Sequence, residues 1–180
     1  MAEGFALFDT AIGPCGIAWS VRGIVGVQLP EGGEGATRAR MRRRFPRLTE
    51  STPPANVQAA CHGIRALLDG EPRELAEIAL DYEGVSDFHR RVYEIARRIA
   101  PGHTRTYGEI AAQLGDKGLS RAVGQALGHN PFAPVVPCHR VLAAGGRPGG
   151  FSAHGGAASK LRMLMIEGAR PPAGGTEPLF

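Results

Sequence analysis

The sequence predicts two domains: an α/β N-terminal domain, made of a small antiparallel sheet plus helices, followed by a mainly α winged helix-turn-helix domain. Three observations carry this. The first thirty residues alternate and break like β structure, the chain from Asp87 onward is a string of short helices, and the charge balance changes sign between the two. Residues 1–85 hold 9 Lys and Arg against 11 Asp and Glu, whereas residues 86–168 hold 11 against 5, so the overall net charge of +4 conceals a strongly basic later half. Such a segregated field is the usual footprint of a polyanion partner, although alone it raises the odds of nucleic-acid binding only modestly.

Each element has its own signal. Phe5-Ala6-Leu7-Phe8, Gly16 to Val21 and Ile24 to Leu29 read as antiparallel strands, separated by a Gly13-Pro14 break and an Arg22-Gly23 turn. Pro30 and a Gly-rich stretch end the sheet. Val57, Cys61, Ile64, Leu67 and Leu68 then recur at helical spacing behind Pro53-Pro54, predicting a helix over 56–69 closed by Gly70. Ile78, Leu80 and Tyr82 alternate as in a further strand, and Glu83-Gly84-Val85-Ser86 is the expected junction. The run Arg38 to Arg44 is the densest charge in the chain and is read as a solvated surface helix or loop.

In the later half Asp87 is expected to cap a helix whose Phe88, Val92, Ile95, Ala96 and Ile99 share a face, ended by Pro101-Gly102. A second helix covers Tyr107 to Leu114. Ser120 is expected to cap a third, with Val123 and Leu127 inward and Gly128 and Pro131 at its end. Two short helices joined by a tight glycine-containing turn form a helix-turn-helix pattern. Val135-Val136, Val141-Leu142 and the turn 143–150 would make a β wing. A last helix, Ala157 to Glu167, is expected to bury Leu161, Leu164 and Met165, and the Pro- and Gly-rich residues 169–180 read as a flexible tail.

The composition excludes several classes. The chain has 180 residues and is 43% hydrophobic, enough for a real core. No apolar run approaches the roughly 18 residues of a membrane span, and no secretory leader is visible. Three widely spaced cysteines without a CxxC pair argue against a disulfide framework and a zinc ribbon, so a reduced, cytoplasmic protein without metal is expected.

Pro137-Cys138-His139-Arg140 is the segment that raises a chemical question. A thiol between an imidazole and a guanidinium sits where positive potential favours thiolate, the nucleophilic form. On a strand, however, Cys138 and His139 would point to opposite faces, so their coupling needs a turn or a bridging water. Cys15, in a Gly-Pro-Cys-Gly turn, and Cys61, on an apolar helix face, are read as small buried hydrophobes. The histidines at 62, 89, 103, 129 and 154 are read as surface or hydrogen-bonded residues. Ala122, Gly124 and Ala126 would let the third helix approach a surface closely, with Arg121 projecting from its first turn, and packing against a neighbouring helix explains them about as well.

Five motifs, Tyr107-Gly108-Glu109-Ile110-Ala111, Arg121-Ala122-Val123-Gly124, Asn130-Pro131, Pro137-Cys138-His139-Arg140-Val141 and Gly149-Gly150-Phe151-Ser152, occur in one order between Phe88 and Gly168. In this region the chain resembles the O6-alkylguanine-DNA alkyltransferase family, also called methylated-DNA–protein-cysteine methyltransferases. The first 85 residues match it only in general character, as a supporting domain. The resemblance implies DNA repair by direct reversal, in which O6-alkylguanine, with O4-alkylthymine as a further candidate, is flipped out of double-stranded DNA and its alkyl group moves irreversibly to Cys138. It implies that His139 takes the thiol proton through a water, Glu167 orients the imidazole and Tyr107 neutralises the leaving guanine. Arg121 would fill the space left in the base stack, with Ser120, Ala122 and Gly124 against the DNA. Asn130 and Arg140 would support the site, and Pro137, Val141, Gly150, Phe151 and Ser152 would line the pocket. No cofactor and a monomer are implied. Phe151 replaces a frequent tyrosine, Tyr93 a usual tryptophan, and the stretch 152–156 is about two residues longer than in some members. A lesion-binding relative without transfer, a winged-helix regulator and an unrelated cysteine hydrolase are the alternatives.

Overall fold

The computed structural model describes residues 3–147 and 156–169, and these divide into two compact units, residues 3–84 with 131–135, and residues 85–130 with 136–147 and 156–169. The first is built on a three-stranded antiparallel sheet of β1 (Gly4–Thr10), β2 (Gly13–Ser20) and β3 (Gly23–Gln28) in sequential order. Cys15 lies inside β2 rather than in a turn, because Pro14 pairs with Asp9 and the reversal is made one step earlier, around residues 11 and 12. Gly23 is required at the second reversal. Its φ of +145° is a conformation that side chains avoid, and a Cβ there would stand 2.5 Å from the Ala79 carbonyl oxygen.

Two helices cover this sheet. α1 (Glu34–Arg44) lays Met41, fully buried, over Gly16, Phe5 and Ala18, and α2 (Ala55–Leu68) starts behind Pro54 and buries Val57, Ala60, Cys61, Ile64, Leu67 and Leu68. The arginine run is therefore a helix. Most of it faces solvent, with Arg38 paired to Glu34 and Glu50, but Arg44 is half-buried and donates to Val27 O at 2.9 Å, Gln28 Oε1 at 3.1 Å and Pro131 O at 3.3 Å.

The strand expected over 78–82 is reduced to one bridge between Leu80 and Ile24. The outer edge of β3 explains why. Ile24 exchanges backbone bonds with Ala79 and Asp81, whereas further along the same edge Val27 N donates to Pro131 O at 2.8 Å, so neither neighbour can extend its pairing.

The second unit contains α3 (Asp87–Ala96), β4 (Arg105–Thr106), α4 (Tyr107–Gln113), α5 (Ser120–Gly128), β5 (Val141–Leu142) and α6 (Gly156–Glu167). α3 is capped by Ser86, which accepts from His89 N, rather than by Asp87. Its Tyr93 is buried and donates to Ala126 O at 2.7 Å, tying α3 to α5. Thr106 and Glu109 form a reciprocal capping box at the start of α4. Before α5 a 3-10 turn over residues 117–119 runs into the helix, so Ser120 is its first helical residue and donates back to Lys117 O, while Asp116 caps the turn.

Val135 and Val136 do not form a strand. Val141 and Leu142 pair instead with Arg105 and Thr106, in parallel, because the Pro134 and Pro137 rings flanking the two valines deny that segment a continuous set of donors. The remainder of the expected wing turn, residues 148–150, lies outside the described residues, as do residues 151–155 and the tail beyond Ala169. In α6 the inward face is Lys160, Met163, Leu164 and Glu167, so Met163 takes the place expected for Met165, which is 58% exposed. No helix among the described residues is long and apolar enough to cross a membrane.

Candidate active site

Cys138, His139 and Arg140 form a single 3-10 turn, all three buried, between Pro137 and β5. The turn removes the strand objection, since consecutive side chains of a 3-10 turn no longer alternate across two faces. Asn130, just past α5, braces it by donating to Val136 O at 2.8 Å.

A carboxylate at the end of α6 holds the imidazole. Glu167 Oε1 lies 2.7 Å from His139 Nε2, and Arg140 grips the same carboxylate through Nη2 at 2.7 Å and Nε at 2.9 Å. Arg140 also donates from Nη1 to Ile99 O at 2.6 Å, and the carboxylate side chain is only 3% exposed. Burial alone would raise the Glu167 pKa, but His139 and Arg140 overcome it and hold the carboxyl at about 2. With Glu167 ionised and Arg140 already neutralising it, burial keeps His139 neutral by lowering its pKa, against the opposing pull of the glutamate. An anionic acceptor at Nε2 fixes the tautomer with the proton on Nε2. His139 Nδ1 is then a lone-pair acceptor, and it is buried with no hydrogen-bond partner among the described residues.

The thiol environment matches that base. Burial raises the Cys138 pKa, and four influences oppose it: a hydrogen bond from Asn130, the positive charge of Lys160 and the backbone N–H groups of Cys138 and His139. Burial likewise raises the other two thiols, Cys15 to about 12 and Cys61 to about 11. Tyr107 opens α4 as expected and is half-buried, and burial, reinforced by Cys138, raises its pKa so that it stays a protonated donor.

Of the other predicted residues, Pro137 and Val141 are buried beside the turn. Arg121 is exposed in the first turn of α5, with Ser120, Ala122 and Gly124 half-buried along the same helix. A Cβ on Gly124 would meet the Tyr107 ring only at 4.0 Å, so close packing within the chain does not demand a glycine there. Gly150, Phe151 and Ser152 lie outside the described residues. Lys160 belongs to none of the sequence motifs, yet it is 1% exposed with Nζ 3.4 Å from the Tyr107 hydroxyl. Its signal is spacing, since Lys160, Met163, Leu164 and Glu167 recur as one helical stripe.

A family model described as 6-O-methylguanine DNA methyltransferase, DNA binding domain, matches residues 87–169. A methylated-DNA–protein-cysteine methyltransferase of Mycobacterium bovis is 43% identical over 129 residues, 71% of this chain and 76% of that protein. The chain belongs to the methylated-DNA–protein-cysteine methyltransferase family. Among solved structures, Mycobacterium tuberculosis OGT in complex with DNA aligns with a TM-score of 0.72 and 34% identity over 91% of this chain and 92% of that one. A further relative, the DNA base-flipping protein of Thermus thermophilus, is 40% identical over 133 residues, 72% of this chain and 87% of that protein. The similarity to this methyltransferase family thus extends well beyond the residues of the family model.

Proposed function

We propose that this family member repairs DNA by drawing an O6-alkylguanine out of the duplex and taking its alkyl group irreversibly onto Cys138, once per molecule. The observation that carries the reading is the buried line Glu167–His139, which leaves His139 Nδ1 as a proton acceptor in the same turn as the thiol. His139 takes the thiol proton through a water, and the sulfur attacks the alkyl carbon in line as the bond to O6 breaks. Tyr107 donates to the departing guanine, where negative charge would otherwise build up. The product is a thioether, which none of the site's groups can hydrolyse.

The helix pair α4 and α5 serves as the helix-turn-helix. Exposed Arg121 occupies the gap left in the stack, and the small side chains of Ala122 and Gly124, with Ser120, allow α5 close to the sugar-phosphate walls. Pro137, Val141, Gly150, Phe151 and Ser152 line the base pocket. Residues 1–85 act as a support for 86–168, the protein works as a cytoplasmic monomer without cofactor, and O4-alkylthymine, with its equivalent carbon–oxygen bond, is a second substrate to assay.

Similarity to a DNA base-flipping protein favours one other reading, lesion binding without transfer. Intact mass after mixing with an oligonucleotide carrying one O6-methylguanine separates them. The expected result is one methyl on the Cys138 peptide, saturating at about one per molecule, as a nucleophile that is not regenerated requires. Tight binding without an adduct supports lesion binding instead, and repeated turnover refutes both.

A further inference from the structure

The geometry points to Arg44 as a positioning residue for the transfer, holding the corner of chain from which the Cys138 turn begins. This rests on the proposed alkyl transfer to Cys138. Arg44 ends α1 half-buried, and among the described residues no carboxylate pairs with it. Its charge is met by three neutral oxygens, those of Val27, Gln28 and Pro131, and its guanidinium lies 4.9 Å from the centroid of the Phe45 ring. An apolar side chain would cover β3 there at less cost, because a cation drawn out of water is expensive unless it is paired. The sequence nevertheless makes room for it. A Cβ on Gly26 would stand 2.5 Å from the Phe45 ring and 2.9 Å from Arg44 Nη2.

What the guanidinium holds is an interrupted ladder. Val27 gives its N–H to Pro131 O at 2.8 Å, but a proline has no N–H to return to Val27 O. Arg44 supplies the missing donor, with Nη1 2.9 Å from Val27 O, while Nη2 reaches Pro131 O at 3.3 Å, so one planar group clamps both carbonyls. Phe132 is a second hold, 1% exposed and edge-on to Tyr82 with 5.6 Å between ring centroids. Residues 131–135 therefore belong to the first compact unit, although in the chain they lie between α5 and the Cys138 turn.

From Pro131 the link to the thiol is short. The residue before it, Asn130, donates to Val136 O at 2.8 Å, and the same carbonyl accepts from Cys138 N at 2.9 Å. A hydrogen bond from the Asn130 side chain also favours the Cys138 thiolate. Fixing Pro131 thus fixes the residue that sets both where the turn starts and how readily the thiol ionises. Burial, reinforced by Arg40, lowers the Arg44 pKa to about 10, which leaves the guanidinium charged at neutral pH. Arg44 acts through the Pro131 carbonyl rather than on the thiol directly.

The test measures single-turnover methyl transfer from saturating O6-methylguanine oligonucleotide, reaction with free O6-benzylguanine and affinity for undamaged duplex, all well below each variant's melting temperature. Arg44→Met, which keeps the stem and loses the donors, is expected to slow transfer about tenfold, part of the hundredfold that a misplacement of about 1 Å can cost. Free O6-benzylguanine should lose the same factor, and duplex affinity should stay within about twofold, because no phosphate contact is removed. Met41→Ala opens a cavity beneath the same helix, over Gly16 and Phe5, and should lower the Tm while leaving transfer within about twofold of wild type. An Arg44→Met/Asn130→Ala double variant should be no more than about threefold slower than the slower of its two single variants, because both changes release the same corner. An Arg44→Met rate within about twofold of wild type, an equal slowing in Met41→Ala, losses that multiply in the double variant, or weaker duplex binding at an unchanged saturating rate each overturns the role of Arg44 while leaving transfer to Cys138 standing. A wild-type protein that takes no methyl overturns both readings. Should Arg44→Met not fold, Arg44→Lys, whose single ammonium lacks the planar fork that clamps two carbonyls, decides by the same threshold.

Discussion

Replacing Glu167 by Gln tests the centre of the site most directly. The change keeps shape and removes one charge, leaving the Arg140 guanidinium, 5% exposed, without its carboxylate, and offering His139 Nε2 a neutral amide. Two routes give the magnitude. Losing one partner of a buried ion pair costs about 3–5 kcal/mol, because the other charge stays buried and uncompensated. Independently, a carboxyl pKa lowered from 4.5 to about 2 corresponds to on the order of 3 kcal/mol of stability. For a chain of this length about 3 kcal/mol is a fall in Tm of roughly 6–12 °C. The sign with pH follows from the depressed pKa. The stabilisation is fully present above about pH 4.5 and is lost as pH falls toward 2, so the wild-type and Glu167→Gln melting temperatures should be far apart at pH 7 and converge in acid. Methyl transfer should slow at least a hundredfold at pH 7, the lower end of a general-base contribution, with Cys138 still present. Thermal denaturation at pH 7, 4 and 3 with single-turnover kinetics at pH 7 makes the check. A Tm within 1 °C of wild type at pH 7, or a gap that does not shrink in acid, would refute the reasoning.

Arg121→Ala is expected to slow repair of O6-methylguanine in duplex DNA at least tenfold more than reaction with free O6-benzylguanine, since only the duplex needs a base removed from its stack; equal losses in the two assays would remove Arg121 from that role. Cys138→Ala should abolish transfer while retaining DNA binding that weakens steeply with salt, measured by fluorescence anisotropy, and a loss of binding would assign the cysteine to folding. Tyr93→Phe removes the phenol donor from Ala126 O, which keeps the backbone N–H of His129, and should cost about 0.5–1.5 kcal/mol in urea unfolding, with an unchanged transition showing that the hydroxyl bond contributes nothing.

The sheet is legible in the sequence because sustained two-residue alternation fits a half-buried strand and not a helix, and Gly23 and Pro30 punctuate it. Helix α5 is legible for a similar reason, with small and apolar residues at helical spacing and glycine at its end. The segment 78–82 also alternates, but whether it becomes a strand depends on which neighbour occupies the edge of β3, and Pro131, far along the chain, takes part of that edge. At Cys138 a three-residue turn has no period to read, so the motif points to chemistry without revealing that both side chains leave the same turn. Glu167 is reached only through family resemblance, since 28 residues separate it from His139 and no local pattern links them. Met165 departs from expectation, and Lys160 is a buried residue that no sequence signal singled out. Side-chain polarity places the lysine at the surface and the methionine in the core, whereas the α6 stripe runs through Lys160, Met163, Leu164 and Glu167 and leaves Met165 outside.

The ion cluster joins three distant stretches of chain, the Ile99 carbonyl, the His139–Arg140 turn and Glu167. During synthesis these emerge in that order. A nascent chain that has cleared the ribosome as far as Leu142 carries the thiol, the imidazole and the guanidinium, but neither the carboxylate that sets the imidazole tautomer nor the lysine beside Tyr107. The site's base is therefore complete only when the C-terminal helix has joined the turn, although thiol and imidazole are neighbours in sequence.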